Sequence, residues 1–180
     1  MRSWLYPPVL RLDLLSVAGE AVRIDYKTIQ NGQLFERSVN ARYYHLHVRN
    51  TRNFPAATDV QVLITRIEIP GPSGDPQLAY VGELPLRWRH QEIYPILRKI
   101  DRATDADLFY VTDELLLRFT PLLVPNNFVA EYRGPSRFWI TAVAHGTEAA
   151  SNVIRIEVAW DGQWDPGEAE MQRHLTIRVP

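Results

Sequence analysis

Apolar and polar residues alternate in short segments along most of this chain. Near the start, Leu10, Leu12 and Leu14 alternate with Arg11 and Asp13, and similar segments recur toward the C-terminus. A period of two residues, interrupted by proline, glycine and asparagine, is typical of strands that bury one face. The sequence therefore predicts an all-β protein in which antiparallel strands form a sandwich.

Residues 22–38 predict a hairpin. Apolar residues alternate with charged ones from Val22 to Tyr26, and Asn31 and Gly32 follow. Asparagine and glycine tolerate the positive φ angles that a type I′ turn requires. We therefore expect two strands to pair around this turn.

Residues 41–50 form the strongest predicted strand, and their alternation assigns two faces. The buried face is predicted to hold Tyr44, Leu46 and Val48, and the solvent face Tyr43, His45, His47 and Arg49. The next strand, residues 59–69, changes phase along its length. Its apolar positions are Val60, Val62 and Ile64, followed by Ile67 and Ile69. A phase change requires one extra residue, so we expect a β-bulge near Thr65.

The rest of the chain predicts further strands, two loops and one helix. Residues 70–77 and 121–136 are rich in proline and other turn-forming residues and are expected to be loops. Asp165 suits a helix N-cap, with Pro166 in the first turn and Glu168 completing a capping box. We expect this helix to end near Arg173 and a final strand to follow at 175–179. Other strands are expected at 84–89, 105–111, 115–120, 137–145 and 152–160.

Composition and charge limit the class of protein. With 180 residues, 46% of them hydrophobic, the chain suits one domain with a substantial core. We expect a single sandwich domain over 1–180, with N-terminal strands and hairpin at 1–38, a sandwich core at 39–160, and the helix and final strand at 161–180. A net charge of -1 and the absence of a basic block argue against a nucleic-acid partner. No apolar run approaches the roughly 18 residues that span a bilayer, so this chain is not expected to insert into a membrane. A longer parent with a membrane anchor or a catalytic domain stays open, as does the compartment.

His45 and His47 are weak candidates for a metal site. Two histidines on one strand face bind a metal when a third ligand, such as His90 or His145, comes from elsewhere in the fold. No acidic residue lies near them in sequence to orient the rings, so the pattern favours ordinary surface histidines. We therefore expect no metal and no cofactor.

Asp105 and Asp107 share a strand face in the same way. Paired carboxylates serve acid–base chemistry or bind calcium, and Asp101 and Asp113 flank this pair. The glycine and terminal glutamate of a calcium loop are missing, which favours a solvated turn. The sequence also lacks the Gly-x-Ser-x-Gly elbow and the glycine-rich phosphate loop. We therefore expect no enzyme activity, with a metal-dependent hydrolase as the least favoured alternative.

Tryptophans suggest a second alternative, a carbohydrate-binding sandwich. Trp88, Trp139 and Trp164 would support it if their rings lay coplanar on one open face. Trp160 continues a buried set and is expected in the core, and Trp164 is expected to cap the sandwich edge. Trp139 is the best candidate for an exposed ring on a binding face.

Two adjacent segments carry a family resemblance. The run from Tyr44 to Asn50, followed by the run from Pro55 to Val62, resembles strands B and C of immunoglobulin- or fibronectin-like modules of bacterial proteins, including the CARDB-type group. The resemblance covers about residues 40–160 and implies an immunoglobulin-like antiparallel β-sandwich. The short C-terminal helix and the strand after Trp164 lie outside the common pattern, and the cysteine pair of antibody domains is missing. No functional residue follows from the resemblance.

These observations together favour a non-catalytic module for protein recognition or scaffolding. Tyr43, His47 and Trp139 are the candidate contacts, because outward-facing aromatic and histidine side chains are suited to protein interfaces. We expect the strands that carry His47 and Trp139 to lie in one sheet. The loops 70–77 and 121–136 are the other candidate docking regions. A protein partner is expected, and the oligomeric state stays open.

Overall fold

A computed structural model describes residues 6–30, 33–52, 54–90 and 96–180. This part of the chain forms twelve strands and one helix. The bounds are β1 Leu10–Leu14, β2 Glu20–Gln30, β3 Gln33–Asn50, β4 Ala57–Pro70, β5 Pro76–Pro85, β6 Arg98–Ile100, β7 Ala103–Thr112, β8 Leu116–Phe119, β9 Glu131–Arg133, β10 Ser136–His145, β11 Ile154–Trp160, α1 Glu168–His174 and β12 Leu175–Arg178. All the strand pairs are antiparallel and form two six-stranded sheets, which confirms the predicted all-β sandwich.

The first sheet is organised around β3. Its strand order is β1-β3-β7-β8-β9, and β2 also pairs with β3. Strands β1 and β2 share one edge of β3, whereas β7 pairs with the other edge from Ala41 to Arg49. Residues 33–40 of β3 extend past β7 and pair with β2 alone among the described strands. We call residues 23–30 of β2 and 33–40 of β3 the arm.

The second sheet is organised around β4. Its strand order is β12-β11-β10-β4-β5, and β6 pairs with the start of β4. Side chains from the inner faces of both sheets meet in one core, which includes the predicted Tyr44, Leu46 and Val48 of β3 and Ile156 of β11. The alternation of apolar residues therefore gave the buried faces of the main strands correctly.

The predicted bulge in β4 lies at Thr65. Ile64 and Arg66 are both paired with β5 and with β10, but the register shifts between them in each case. Against β10, Thr65 is the extra residue, whereas against β5 the extra residue lies in β5, between Val81 and Leu84. Val62 and Ile64 before Thr65 and Ile67 after it all reach the core. This confirms the prediction from the phase of the apolar positions.

Residues 86–89 connect the two sheets. They follow β5 of the second sheet and pair alongside β7 of the first, through a bridge between Trp88 and Ala106. The Arg89 N–H donates to Asp105 O at 2.9 Å, and the Asp107 N–H donates to Arg87 O at 2.8 Å. Alternation along this crossing buries Trp88 and places Arg87 and Arg89 on the opposite, outer side of β7.

Several predicted boundaries were wrong. The strand expected at 84–89 is β5 at 76–85, because the crossing at 86–89 pairs with the other sheet. The expected loop 121–136 contains β9, and the predicted strand at 41–50 begins at Gln33, because it is continuous with the hairpin. The hairpin itself is present as β2 and β3, but its turn residues Asn31 and Gly32 lie outside the described residues.

The helix begins later than predicted. Its N-cap is Gly167, which makes no side-chain capping bond, so the expected capping box from Asp165 is absent. The Asp165 carboxylate instead accepts a hydrogen bond from the Gly167 N–H at 2.7 Å, which closes a turn before the helix. Met171 is the helix residue buried in the core.

Candidate functional site on the first sheet

The outer side of the first sheet holds a cluster of ionisable and aromatic side chains. We call this cluster the charged face. Its members are Tyr43, His45 and His47 of β3, Asp105, Asp107 and Tyr110 of β7, Glu20 of β2, and Arg87 and Arg89 of the crossing.

His47 is held in place by the neighbouring strand. Its Nδ1 lies 2.6 Å from Asp105 Oδ1, and the other oxygen of Asp105 lies 3.4 Å from a guanidinium nitrogen of Arg89. An imidazole bonded to a carboxylate through one ring nitrogen has a fixed orientation and presents its other nitrogen outward. The ring of His47 is therefore positioned and not freely rotating on the surface.

His45, two residues before His47 on the same face of β3, is also bonded to a carboxylate of β7. Its Nδ1 lies 2.9 Å from Asp107 Oδ1, and its Nε2 lies 3.6 Å from Glu20 Oε2. Arg89 forms an ion pair with the same Glu20 carboxylate. His45 lies on the predicted outer face of β3, but its side chain is only 5% exposed, so the expectation that it faces solvent was wrong. The reason is that Glu20, Asp107 and the crossing enclose it.

A bulge in β7 makes this pattern possible. His45 pairs with Asp107 and Tyr44 pairs with Phe109, which leaves Leu108 as the extra residue. Without it, Asp107 and Tyr110 would point to opposite faces, because they are three residues apart. The bulge brings both to the charged face while Leu108 stays in the core.

Two adjacent cavities open on the charged face. The larger, about 370 Å³, is lined mainly by Glu20, Val22, His45, Arg89 and His90. The smaller, about 190 Å³, lies beside Arg87, Tyr110 and Arg118. Tyr43 and Asp107 line both cavities and therefore form the wall that they share.

The ring of Tyr43 is fixed by stacking. Its centroid lies 4.7 Å from that of Tyr110 and 5.9 Å from that of His45, with the rings nearly parallel. Burial, reinforced by the negative charge of Asp107, raises the pKa of Tyr43 to about 12. Its hydroxyl is therefore neutral over the whole physiological range and acts as a hydrogen-bonding group.

The chemistry of this cluster favours binding contacts. Asp105 and Asp107 lie in β7 and orient the two histidines, so the expectation of a solvated turn was wrong. Both His45 and His47 have a carboxylate partner of the kind that orients a metal-ligating histidine. No such partner was expected, because no acidic residue lies near either histidine along the chain. However, among the described residues no three histidine or carboxylate side chains are arranged so that they could hold one metal ion. His145 lies in β10 of the second sheet and is not brought to this face.

Trp139 lies on the other side of the molecule. It belongs to β10 of the second sheet, opposite Glu68 and Glu157, and the Arg137 guanidinium stacks on its ring at 4.8 Å. The expectation that its strand shares a sheet with His47 was therefore wrong. Because β3 and β10 were both read correctly as strands, the error lies only in which strands pair.

The tryptophans do not form a shared platform. Trp88 is buried and donates from Nε1 to Ile96 O at 2.9 Å. Trp160 is in the core as predicted, and Trp164 packs against the core as an edge cap. Trp139 alone of the three candidates is neither buried nor packed on the core, so the coplanar arrangement that a carbohydrate site would need is not formed.

Sequence reasoning missed Glu20, Arg87, Arg89 and Tyr110 as members of this face. One signal was present, because His45-x-His47 and Asp105-x-Asp107 have the same spacing. Two strands with matching ionisable pairs at alternate positions fit side by side in an antiparallel sheet.

No family model matches the chain, and the comparisons with curated proteins and with solved structures also gave no match. The immunoglobulin-like type of the sandwich stays a prediction. Within the described residues, no helix is long and apolar enough to cross a membrane.

Proposed function

We propose that the protein is a non-catalytic recognition module that docks a protein partner on the charged face. The observation that carries this proposal is the position of Tyr43 between two cavities. A fixed aromatic ring beside concave pockets, surrounded by arginines, has the features of an interface hot spot. Two pockets that share one wall accept two neighbouring side chains of a partner.

The charges indicate what the partner carries. Arg89 pairs with Glu20, and Arg118 lies 3.4 Å from Glu131. Arg87 is exposed and forms no ion pair with any residue that the structure describes. A carboxylate of the partner would pair with Arg87 through a forked hydrogen bond. We therefore propose a partner with an acidic side chain next to the two side chains that enter the cavities.

The arm extends the same surface. Tyr26 and Phe35 of the arm, and Val22 just before it, lie on the same side of the hairpin as Tyr43, since paired residues of β2 and β3 alternate faces together. Phe35 is 51% exposed. An apolar strip beside a polar pocket favours binding of a protein. The strip would bury apolar surface of the partner, and the polar groups of the pocket would fix the partner's orientation.

The fixed side chains of the charged face also support binding. His45, His47 and Tyr43 are held by Asp107, Asp105 and Tyr110, so their side chains lose little freedom when a partner docks. A preformed surface of this kind needs no rearrangement to bind.

Site-specific photo-crosslinking in the source cells tests this function. A benzoylphenylalanine in place of Phe35 should crosslink to one protein, and Arg87→Glu should abolish the adduct. Thr176 of β12, on the second sheet, is the control position, and Arg178→Glu is the matched charge reversal away from the face. Equal adducts from positions 35 and 176, or adducts unchanged by Arg87→Glu, would contradict the proposal.

A further inference from the structure

Among the strands that the structure describes, none lies beside the outer edge of β2. All eleven residues of β2 pair with β3, and no other described segment pairs with β2. At about 3.3 Å per residue, this edge is roughly 36 Å long. An edge of this length presents a row of backbone donors and acceptors to another chain.

The other sheet edges are short or protected. At β1, the Asn152 side chain accepts from the Leu12 N–H and donates to Leu12 O, both at 2.9 Å, and so takes the place of a neighbouring strand. Strand β5 has prolines at both ends and two register shifts. Strands β9 and β12 have three and four residues.

β2 has neither a proline nor a register shift. Its charges are its one possible protection, and they alternate in sign: Arg23, Asp25 and Lys27. Charges of one sign would repel a second copy of the strand. Charges of alternating sign repel it in some registers and attract it in others.

We propose that a second copy of this chain pairs with β2, so that two β2 strands lie antiparallel about a two-fold axis at Ile24. In this register Arg23 of each copy lies opposite Asp25 of the other. Val22 lies opposite Tyr26, and Ile24 lies opposite Ile24 of the other copy. Both ion pairs and both apolar pairs then form at once, and the two first sheets become one continuous sheet.

Neighbouring registers fit less well. An axis at Asp25 places the two Asp25 side chains opposite each other and Arg23 opposite Lys27, so like charges meet. An axis between two residues places apolar positions opposite charged ones, because a shift of one residue exchanges the faces. An axis at Tyr26 pairs Asp25 with Lys27 but places Arg23 opposite the apolar Ile29.

The edge borders the proposed docking site, because Val22 and Tyr26 belong to both surfaces, but its charged residues lie outside that site. Arg23 and Asp25 occupy the side of the arm opposite Val22 and Tyr26, and neither lines a cavity of the charged face. Self-association and partner docking are therefore measured separately, and either can fail without the other.

Sedimentation velocity over a range of protein concentrations tests the dimer and its register. Arg23→Glu and Asp25→Arg should each weaken self-association by about tenfold or more, because each places like charges opposite each other twice. An equimolar mixture of the two variants should dimerise as the natural chain does. In the mixed dimer the two substituted side chains, which carry opposite charges, face each other, and the unchanged Arg23 and Asp25 form the other ion pair.

Arg178→Glu, a charge reversal on β12, is the control and should leave self-association unchanged. A natural chain that sediments as a monomer at every concentration overturns the proposal. So does a dimer that is insensitive to both reversals, since it must form through another surface. Sensitivity to Asp25→Arg alone, without recovery in the mixture, would overturn the Ile24 register.

Discussion

Glu148 accepts two hydrogen bonds from Thr58: one from the Thr58 N–H to Oε2 at 3.0 Å, and one from the hydroxyl to Oε1 at 2.6 Å. Residues 58 and 148 lie near the start of β4 and in the connection after β10. The carboxylate therefore joins two neighbouring strands at one end of the second sheet. Both bonds lower the pKa of Glu148, and the bond from the Thr58 hydroxyl has the larger effect.

This lowered pKa predicts a pH dependence. A carboxyl whose pKa is lower in the folded state stabilises the fold at pH values above its unfolded pKa, which is about 4.3 for glutamate. The contribution is lost as the pH falls through the folded pKa. In urea denaturation, the free energy of unfolding of the natural chain should exceed that of Glu148→Gln at pH 7. The two free energies should become equal at pH values below the folded pKa of Glu148. The difference is small because solvent screens this exposed group. A constant difference at all pH values would show that ionisation of Glu148 plays no part.

Burial of tyrosines predicts a loss of stability at alkaline pH. The pKa of Tyr43 is raised to about 12 by burial, with Asp107 adding to the effect. An unfolded tyrosine ionises near pH 10, so unfolding releases a proton between these values and the fold weakens as pH rises. Tyr43→Phe keeps the stacking but cannot ionise. Urea denaturation at several pH values should show that the free energy of unfolding of this variant falls less steeply with pH over this interval. The difference in slope corresponds to at most one proton released on unfolding. Identical slopes for the natural chain and the variant would show that the Tyr43 hydroxyl is exposed to water in the folded state.

Core and surface positions of β3 should respond differently to truncation. Leu46 is fully buried, and Leu46→Ala should lower the unfolding free energy by about 2–5 kcal/mol. Arg49 is exposed and pairs with Asp13 at 2.8 Å, so Arg49→Ala should cost less than about 1 kcal/mol. Chemical denaturation of both variants measures the contrast. A small effect of Leu46→Ala, no larger than that of Arg49→Ala, would show that Leu46 does not pack in the core.

The faces of β3 were predictable and its partners were not. Alternation marked Leu46 as buried because a strand repeats its environment every two residues. The bond between His45 and Asp107 joins residues 62 positions apart, and the matching spacing of the two ionisable pairs is the one sequence feature that points to it. The placement of Asp107 also depends on the bulge at Leu108, which local alternation does not reveal. The bulge at Thr65 was predictable, because apolar residues on both sides of it reveal the change of phase.

The assignment of sheets was hardest for the outward residues. His47 and Trp139 have the same alternation in sequence, yet they lie on different sheets. The choice between sheets is made by connections such as residues 86–89, where the chain leaves the second sheet and pairs with the first. Sequence patterns therefore gave the strands and the core, but not the residues that gather on the charged face.

Asn152 gives a prediction about the protected edge of β1. Asn152→Leu keeps the approximate size but removes the partner of both backbone groups of Leu12. Leaving such groups unpaired costs about 1–3 kcal/mol. Hydrogen exchange at the Leu12 amide should become faster, and denaturation should occur at lower urea concentration. Asn126→Leu, the same change in an exposed loop, should alter neither measurement. Unchanged exchange at Leu12 would show that Asn152 does not close this edge.

The bulge at Thr65 restricts how β4 can change in evolution. This strand pairs with β5, β6 and β10 and buries residues on both sides of the bulge. Many substitutions within β4 preserve its pairing, but loss or gain of a single residue there would turn one half of the strand over relative to the other. The apolar side chains of that half would then face water, and three neighbouring strands would lose their register together. Related chains should therefore vary freely in the lengths of their loops, while the number of residues from Val60 to Ile69 stays constant.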